Sequence, residues 1–189
     1  MSNQLVNYLK EKIELSKADE EKIISVSTTR LLRRKQYLLQ EGDVWKYYAF
    51  VNSGLLIRYS VDDRGVSHIS QFSPENHWTG DMYSLLYNVP SIFNIEAIEN
   101  SEIILIKYED FQNLCAEISK LKDLVFSLLQ RSFAVAQNRI NTNISNTAEQ
   151  RYYEFIEKNP SIVIRVPQHM IASYLGISPE TLTRIRKNK

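Results

Sequence analysis

The stretch Gly176-Ile177-Ser178-Pro179-Glu180-Thr181-Leu182-Thr183-Arg184, near the end of this 189-residue chain, holds the residue types best able to do chemistry. A glycine supplies the positive φ that a tight turn needs. Ser178 suits an N-cap, and Pro179 suits the first helical position, where a missing N–H costs nothing. Ala172 stands four residues before Gly176 and is small enough for a second helix to cross closely. Ile171, Leu175, Ile177, Leu182 and Ile185 then form one apolar interior. The spacing predicts a helix–turn–helix over residues 168–187, its first helix running from Pro167 to Tyr174.

That arrangement leaves Glu180, Thr181, Thr183, Arg184 and Lys187 on the outer side. An α-helix fits the DNA major groove, and its N-terminal half reaches base edges. Arg184 can pair with guanine through two hydrogen bonds, a contact that contributes about 1–3 kcal/mol of discrimination. Glu180 can accept from a cytosine amino group, or it can orient Arg184 four residues later. Ser178, Gln168 and His169 lie near helix N-termini and suit phosphate contacts. A packed helical hairpin with solvated charges is the competing reading. The spacing, the Ser-Pro cap and a local basic excess favour DNA.

Other constellations offer little chemistry. His68, His77 and His169 are scattered, with no metal-ligand spacing, and no glycine-rich phosphate loop occurs. Asp62-Asp63 precedes Arg64-Gly65 and reads as turn chemistry. The single cysteine, Cys115, excludes a disulfide framework or a four-cysteine metal centre within the chain. No enzyme, catalytic residue, metal or cofactor is expected.

The whole chain is nearly neutral at +1, with 43% apolar and 24% charged residues, which excludes wholesale disorder. Charge is unevenly placed. Residues 161–189 carry Arg165, Arg184, Arg186, Lys187 and Lys189 against Glu180 alone, a net +4, whereas the first 160 carry −3. No apolar run is long enough for a membrane span or a signal-peptide core, so a cytoplasmic protein is expected.

The elements that must position the C-terminal segment are legible in outline. Residues 2–26 read as two short helices, with Ser16 to Asp19 as a capping box. From Arg30 to Lys107, short runs rich in Tyr, Val, Ile and Phe alternate with turn signals, which predicts an antiparallel sandwich or barrel. Leu55–Val61 and Gly65–Phe72 form its clearest hairpin. Tyr108–Glu117 reads as a short helix and Ser119–Ser145 as a long one. Along the long helix, Ile118, Leu121, Val125, Leu128 and Val135 fall near heptad spacing, beside stripes holding Leu124, Leu129, Phe133, Ile140 and Ile144. An apolar surface this wide suits packing on two sides, one on the β-domain and one on a second copy. Thr147–Asn159 predicts another helix, and Ile162-Val163-Ile164 a short extended stretch.

This order resembles the Crp/Fnr transcription regulators from about Ser16 to Lys187. In the β-region the resemblance rests on Gln40-Glu41-Gly42-Asp43, Asn52-Ser53-Gly54-Leu55, Asp63-Arg64-Gly65, Gly80-Asp81-Met82, and Pro90 followed by Glu96-Ala97. In the C-terminal region it rests on Ile171 to Arg184, where Glu180-Thr181 and Arg184 match the family's base-reading positions. Pro179 stands where some members carry arginine.

The resemblance implies an α+β fold: a cyclic-nucleotide-binding-like antiparallel β-roll with flanking helices (1–117), a dimerisation helix (118–145) and a helix–turn–helix domain (146–189). It implies a homodimer on a pseudo-palindromic duplex, contact with RNA polymerase, and a pocket for a small-molecule effector that the sequence does not name. Nucleotide-binding members carry an arginine after the cassette loop. Here the pocket positions are Gly80, Asp81, Met82, Ser91 and Ile92, without a guanidinium to offset phosphate desolvation. Cyclic AMP and cyclic GMP are therefore not expected as ligands. The competing class is a β-roll ligand-binding or protein-interaction module that binds no DNA.

Overall fold

A computed structural model describes residues 4–187; the outermost bounds of the first and last segments, and Lys189 of the basic tip, lie outside the described residues. Two helices, α1 (Gln4–Lys10) and α2 (Lys17–Ser25), precede strands β1 (Ser27–Leu32), β2 (Tyr37–Leu39), β3 (Tyr47–Ser53), β4 (Leu56–Val61), β5 (Ser67–Ser73) and β6 (Trp78–Thr79). Then come α3 (Met82–Tyr87), β7 (Asn94–Ala97), β8 (Ser101–Lys107), α4 (Tyr108–Glu117) and α5 (Ser119–Ser145). The chain continues through α6 (Ala148–Lys158), α7 (Pro160–Val163), α8 (Gln168–Leu175) and α9 (Pro179–Lys187). Ser16 and Thr147 both form capping boxes, with Asp19 and Gln150 respectively.

The strands make two antiparallel four-stranded sheets, β1-β8-β3-β6 and β2-β7-β4-β5. Period-two alternation sorts their side chains between three apolar clusters. Leu56, Ala49, Val51, Ile95 and Ile103 fill the space between the sheets. Phe50, Ile104 and Ile106 face outward and are covered by α1, α2, α4 and the start of α5. Leu55, Ile57 and Tyr59 face outward on the other sheet and pack against Tyr152, Phe155, Ile171 and Leu182 of the C-terminal helices. Both faces of β4 are thus buried, and Leu55-Leu56-Ile57 reads as a continuous apolar run for that reason.

Two local expectations are corrected. Ile162-Val163-Ile164 is not extended: Pro160 sits in the first turn of α7, and the Ile162 and Val163 amides donate to Asn159 O at 3.1 Å. Proline at that position starts a helical turn despite the β-branched run that follows. Pro167 caps α8 with extended backbone (φ −61°, ψ 148°) rather than forming its first turn, and the helix runs on to Leu175.

The long helix behaves as two segments. Leu121 is buried, and Leu124 and Val125 pack on the body. From Phe126 to Ser145 the helix is exposed except at Leu128, Arg139 and Thr142, which are half-buried. Phe126, Phe133 and Ile140 recur every seven residues, with Leu129 between the first two; all are exposed, as are Val135 and Ile144.

Candidate nucleic-acid interface

The helix–turn–helix is built as its residues require. Gly176 ends α8 in the left-handed region at φ 65°, and its amide donates to the Ala172 and Ser173 carbonyls. Ala172 is fully buried where α8 and α9 meet, with Ile171, Leu175, Leu182 and Ile185 around it. Ser178 Oγ accepts from the Thr181 amide at 3.1 Å and caps α9. Glu180, Thr183, Arg184 and Lys187 share one exposed face and, with Pro179, line an open recess.

Not every expected contact residue faces outward in the same way. Thr181 lies about 100° around the helix from Glu180. It is half-buried, and its Oγ1 accepts from Ser178 Oγ at 3.2 Å. The hydroxyls of Ser178 and Thr181 therefore serve the cap. Gln168 is half-buried, and its side-chain carbonyl oxygen points inward without a hydrogen-bond partner. His169 is exposed at the start of α8. Glu180 does not pair with Arg184 among the described residues. Its own backbone N–H and then the Ser178 hydroxyl hold its carboxyl below the usual range. Thr183 Oγ1 donates to Pro179 O at 2.9 Å from an otherwise open position.

The basic tip is smaller than its charge count. Arg165 lies in the turn after α7 and is taken up by the β-roll. Its Nη1 and Nη2 donate to Glu75 Oε2 and Oε1 at 2.9 and 2.8 Å, and Nη2 also reaches Glu99. The guanidinium holds the Glu75 carboxyl below its usual range, against the opposing effect of burial. Arg184, Arg186 and Lys187 remain exposed.

In the effector region, Asp81 is buried and already fully engaged. Its Oδ1 accepts from the Tyr83 and Ser84 amides at 3.0 and 3.3 Å, capping α3, and its Oδ2 accepts from Ser91 Oγ at 2.7 Å. Met82 and Ile92 are exposed, at 38% and 65%, and do not join Asp81 and Ser91 in the interior. Gly80 has φ 148°, and a Cβ there would stand 2.5 Å from Trp45 Nε1.

Sequence reasoning missed the guanidinium that does sit here. Arg58, on β4, donates from Nη1 to Gly80 O at 2.9 Å and from Nε to Ser70 Oγ at 3.1 Å, and lies over the Phe93 ring. Burial lowers its pKa, with Asp81 opposing that shift. The available signal was a charge inside the apolar run Leu55-Leu56-Ile57-Arg58-Tyr59. Cys115 is half-buried, and burial pushes its thiol pKa up, away from an activated thiolate.

The fold and the site together define a cyclic-nucleotide-binding-type β-roll joined by a long helix to a helix–turn–helix. The family model for the cyclic nucleotide-binding domain matches residues 29–118. The chain is 24% identical over 174 residues to the transcriptional activator protein anr of Pseudomonas aeruginosa, covering 85% of this chain and 69% of that one. Among solved structures it superposes on FixK2 from Bradyrhizobium japonicum with a TM-score of 0.74 at 18% identity, covering 86% and 84% of the two chains. A transcriptional regulator of the Crp/Fnr family from Eubacterium rectale gives 0.71 at 19% identity, covering 96% and 87%. The chain shares the fold of these regulators, and its residues 29–118 carry the cyclic nucleotide-binding domain. No helix among the described residues is long and apolar enough to cross a membrane.

Proposed function

We propose that this chain is a homodimeric, sequence-specific DNA-binding transcription regulator acting in the cytoplasm without cyclic AMP. The observation that carries the reading is the face of α9. Glu180, Thr183, Arg184 and Lys187 stand together and exposed on a helix whose opposite side, Leu182 and Ile185, is locked into the core. Arg184 is the principal base reader and Glu180 reads beside it. Lys187, His169 and Thr183 contact the backbone, Gln168 lies beside His169 at the start of α8, and Ser178 and Thr181 cap the helix that presents the reading face. The functional units are the roll with its flanking helices (1–117), the dimer helix (118–145) and the reader (146–189).

A second copy seated along Phe126, Leu129, Phe133 and Ile140 would set the two reading helices about 34 Å apart, one turn of duplex. Relatives are named transcriptional activators, and contact with RNA polymerase follows for this chain by that likeness. A sensing role for the roll would need a ligand other than a cyclic nucleotide.

The test is selection of bound duplexes with the purified protein, followed by titration at several salt concentrations. Affinity should fall steeply with salt, because phosphate contacts release counterions. Arg184→Ala should flatten preference at one base pair of each half-site. Undetectable or salt-independent binding would instead favour a β-roll interaction module.

A further inference from the structure

The outer part of α5 stands clear of its own subunit, and Arg139 is where it is held. Ser70 is the extra residue of a β-bulge: Arg58 pairs with Gln71 and Tyr59 with Ile69, leaving Ser70 outside the register. Arg139 Nη1 donates to the Ser70 carbonyl. Its Nη2 donates to Tyr174 O at 3.0 Å, in the last turn of α8, where carbonyls lack helical partners. A cation there also suits the negative end of the helix dipole. The guanidinium further lies 4.0 Å from the centroid of the Tyr174 ring. Tyr174 in turn packs on Phe72 of β5 and Phe155 of α6.

One side chain on α5 therefore touches the roll and α8, the first helix of the helix–turn–helix, together. It does so from the position next to Ile140, on the exposed apolar stripe. The planar guanidinium has five N–H donors in a fixed fork, so it can serve two carbonyls at once; an ammonium makes a less defined bridge. Among the described residues Arg139 forms no ion pair. Its contacts are to backbone carbonyls and a ring.

We propose that Arg139 is a positioning residue that couples the dimer helix to the reader and so sets the spacing at which two reading helices meet DNA. The inference rests on the DNA-reading proposal for its consequence, though not for the coupling itself. A rotation of α5 at the dimer seam is passed to α8 through Tyr174 rather than through the α5–α6 connection alone.

The test uses the full chain with Cys115→Ser, spin-labelled at Ser127→Cys on α5 and Thr183→Cys on α9 and mixed with excess unlabelled chain so that a dimer carries at most one labelled copy, comparing Arg139 with Arg139→Ala and Arg139→Lys. The arginine form should give one narrow distance distribution, the alanine variant a broadened or shifted one, and the lysine variant an intermediate. In parallel, the unlabelled forms are titrated against duplexes whose half-sites are moved apart or together by single base pairs. The arginine form should prefer one spacing by about tenfold or more, comparable to the loss from a mismatched base pair. Arg139→Ala should keep the half-site sequence and the dimer while losing that spacing preference.

An unchanged distance distribution together with an unchanged spacing preference overturns the proposal. A changed distance with no duplex binding by any form supports the coupling and overturns the DNA reading. Melting curves with native cooperativity exclude unfolding of the alanine variant, and partial recovery with lysine separates positioning from general loss of structure.

Discussion

Ser91 Oγ donates to Asp81 Oδ2 at 2.7 Å inside the roll, so the hydroxyl and the carboxylate of the cassette satisfy one another. Neither is left for a ligand, and Arg58 is held on Gly80 O and Ser70 Oγ close by. A cyclic phosphate would have to break these bonds to be desolvated there. Calorimetry with cyclic AMP or cyclic GMP should show no saturable heat up to millimolar ligand. Ser91→Ala should lower unfolding stability by about 1–3 kcal/mol, because it strands one oxygen of a buried carboxylate. A micromolar dissociation constant for either nucleotide would refute this account.

Gly80→Ala is expected to destabilise the roll by about 1–3 kcal/mol. Its φ of 148° is strained for an L residue, and the new Cβ would meet Trp45 Nε1 at 2.5 Å. Trp45 is buried at 5% exposure and packs edge-on to Tyr47, so it has little room to retreat. Chemical denaturation monitored by tryptophan fluorescence gives the change; a shift under 0.5 kcal/mol would contradict the steric argument.

Arg165→Ala should loosen the reader from the roll, costing about 1–2 kcal/mol in a double-mutant cycle with Glu75→Ala. Acid should act in the same direction. The Glu75 pKa is lowered in the folded chain, so its contribution is present at neutral pH, above the unfolded value, and is lost as pH falls through the folded value. Amide-exchange protection in α8, corrected for the pH dependence of the intrinsic exchange rate, should therefore fall below about pH 4, where unperturbed glutamates protonate. Arg165→Ala should remove that acid step. An identical pH profile in the variant would exclude Glu75 as its source.

Phe133→Glu should give a folded monomer. The ring is 65% exposed within one subunit, so the charge does not disturb the subunit's core, whereas it would be buried between two copies. Sedimentation should show half the wild-type mass, and duplex affinity should fall by at least about tenfold as the second half-site is lost. A dimer of unchanged stability would move the seam elsewhere on α5.

The helix–turn–helix was legible because its signals are local. Gly176, Ser178 and Pro179 act on φ values and cap hydrogen bonds within a few residues, and those interactions are the same in a peptide as in the folded chain. The same holds for the capping boxes at Ser16 and Thr147 and for the hairpin closed at Asp62–Gly65. Ile162-Val163-Ile164 misled because β-branched residues suit strands, while Pro160 started a helical turn that packing then kept.

The sequence by itself determined the succession of strand-rich region, long helix and helix–turn–helix, and the absence of a cassette arginine after Pro90, but neither α3 nor the helical turn α7. Tertiary structure alone decided which charges are available and what holds the reader. Arg165 lies 90 residues from Glu75, Arg139 lies 69 from Ser70, and Arg58 lies 22 from Gly80. These pairings depend on strand register, a bulge and helix docking rather than on near neighbours. The +4 tip read from the chain therefore became a smaller cationic face around Arg184, with Arg165 returned to the roll.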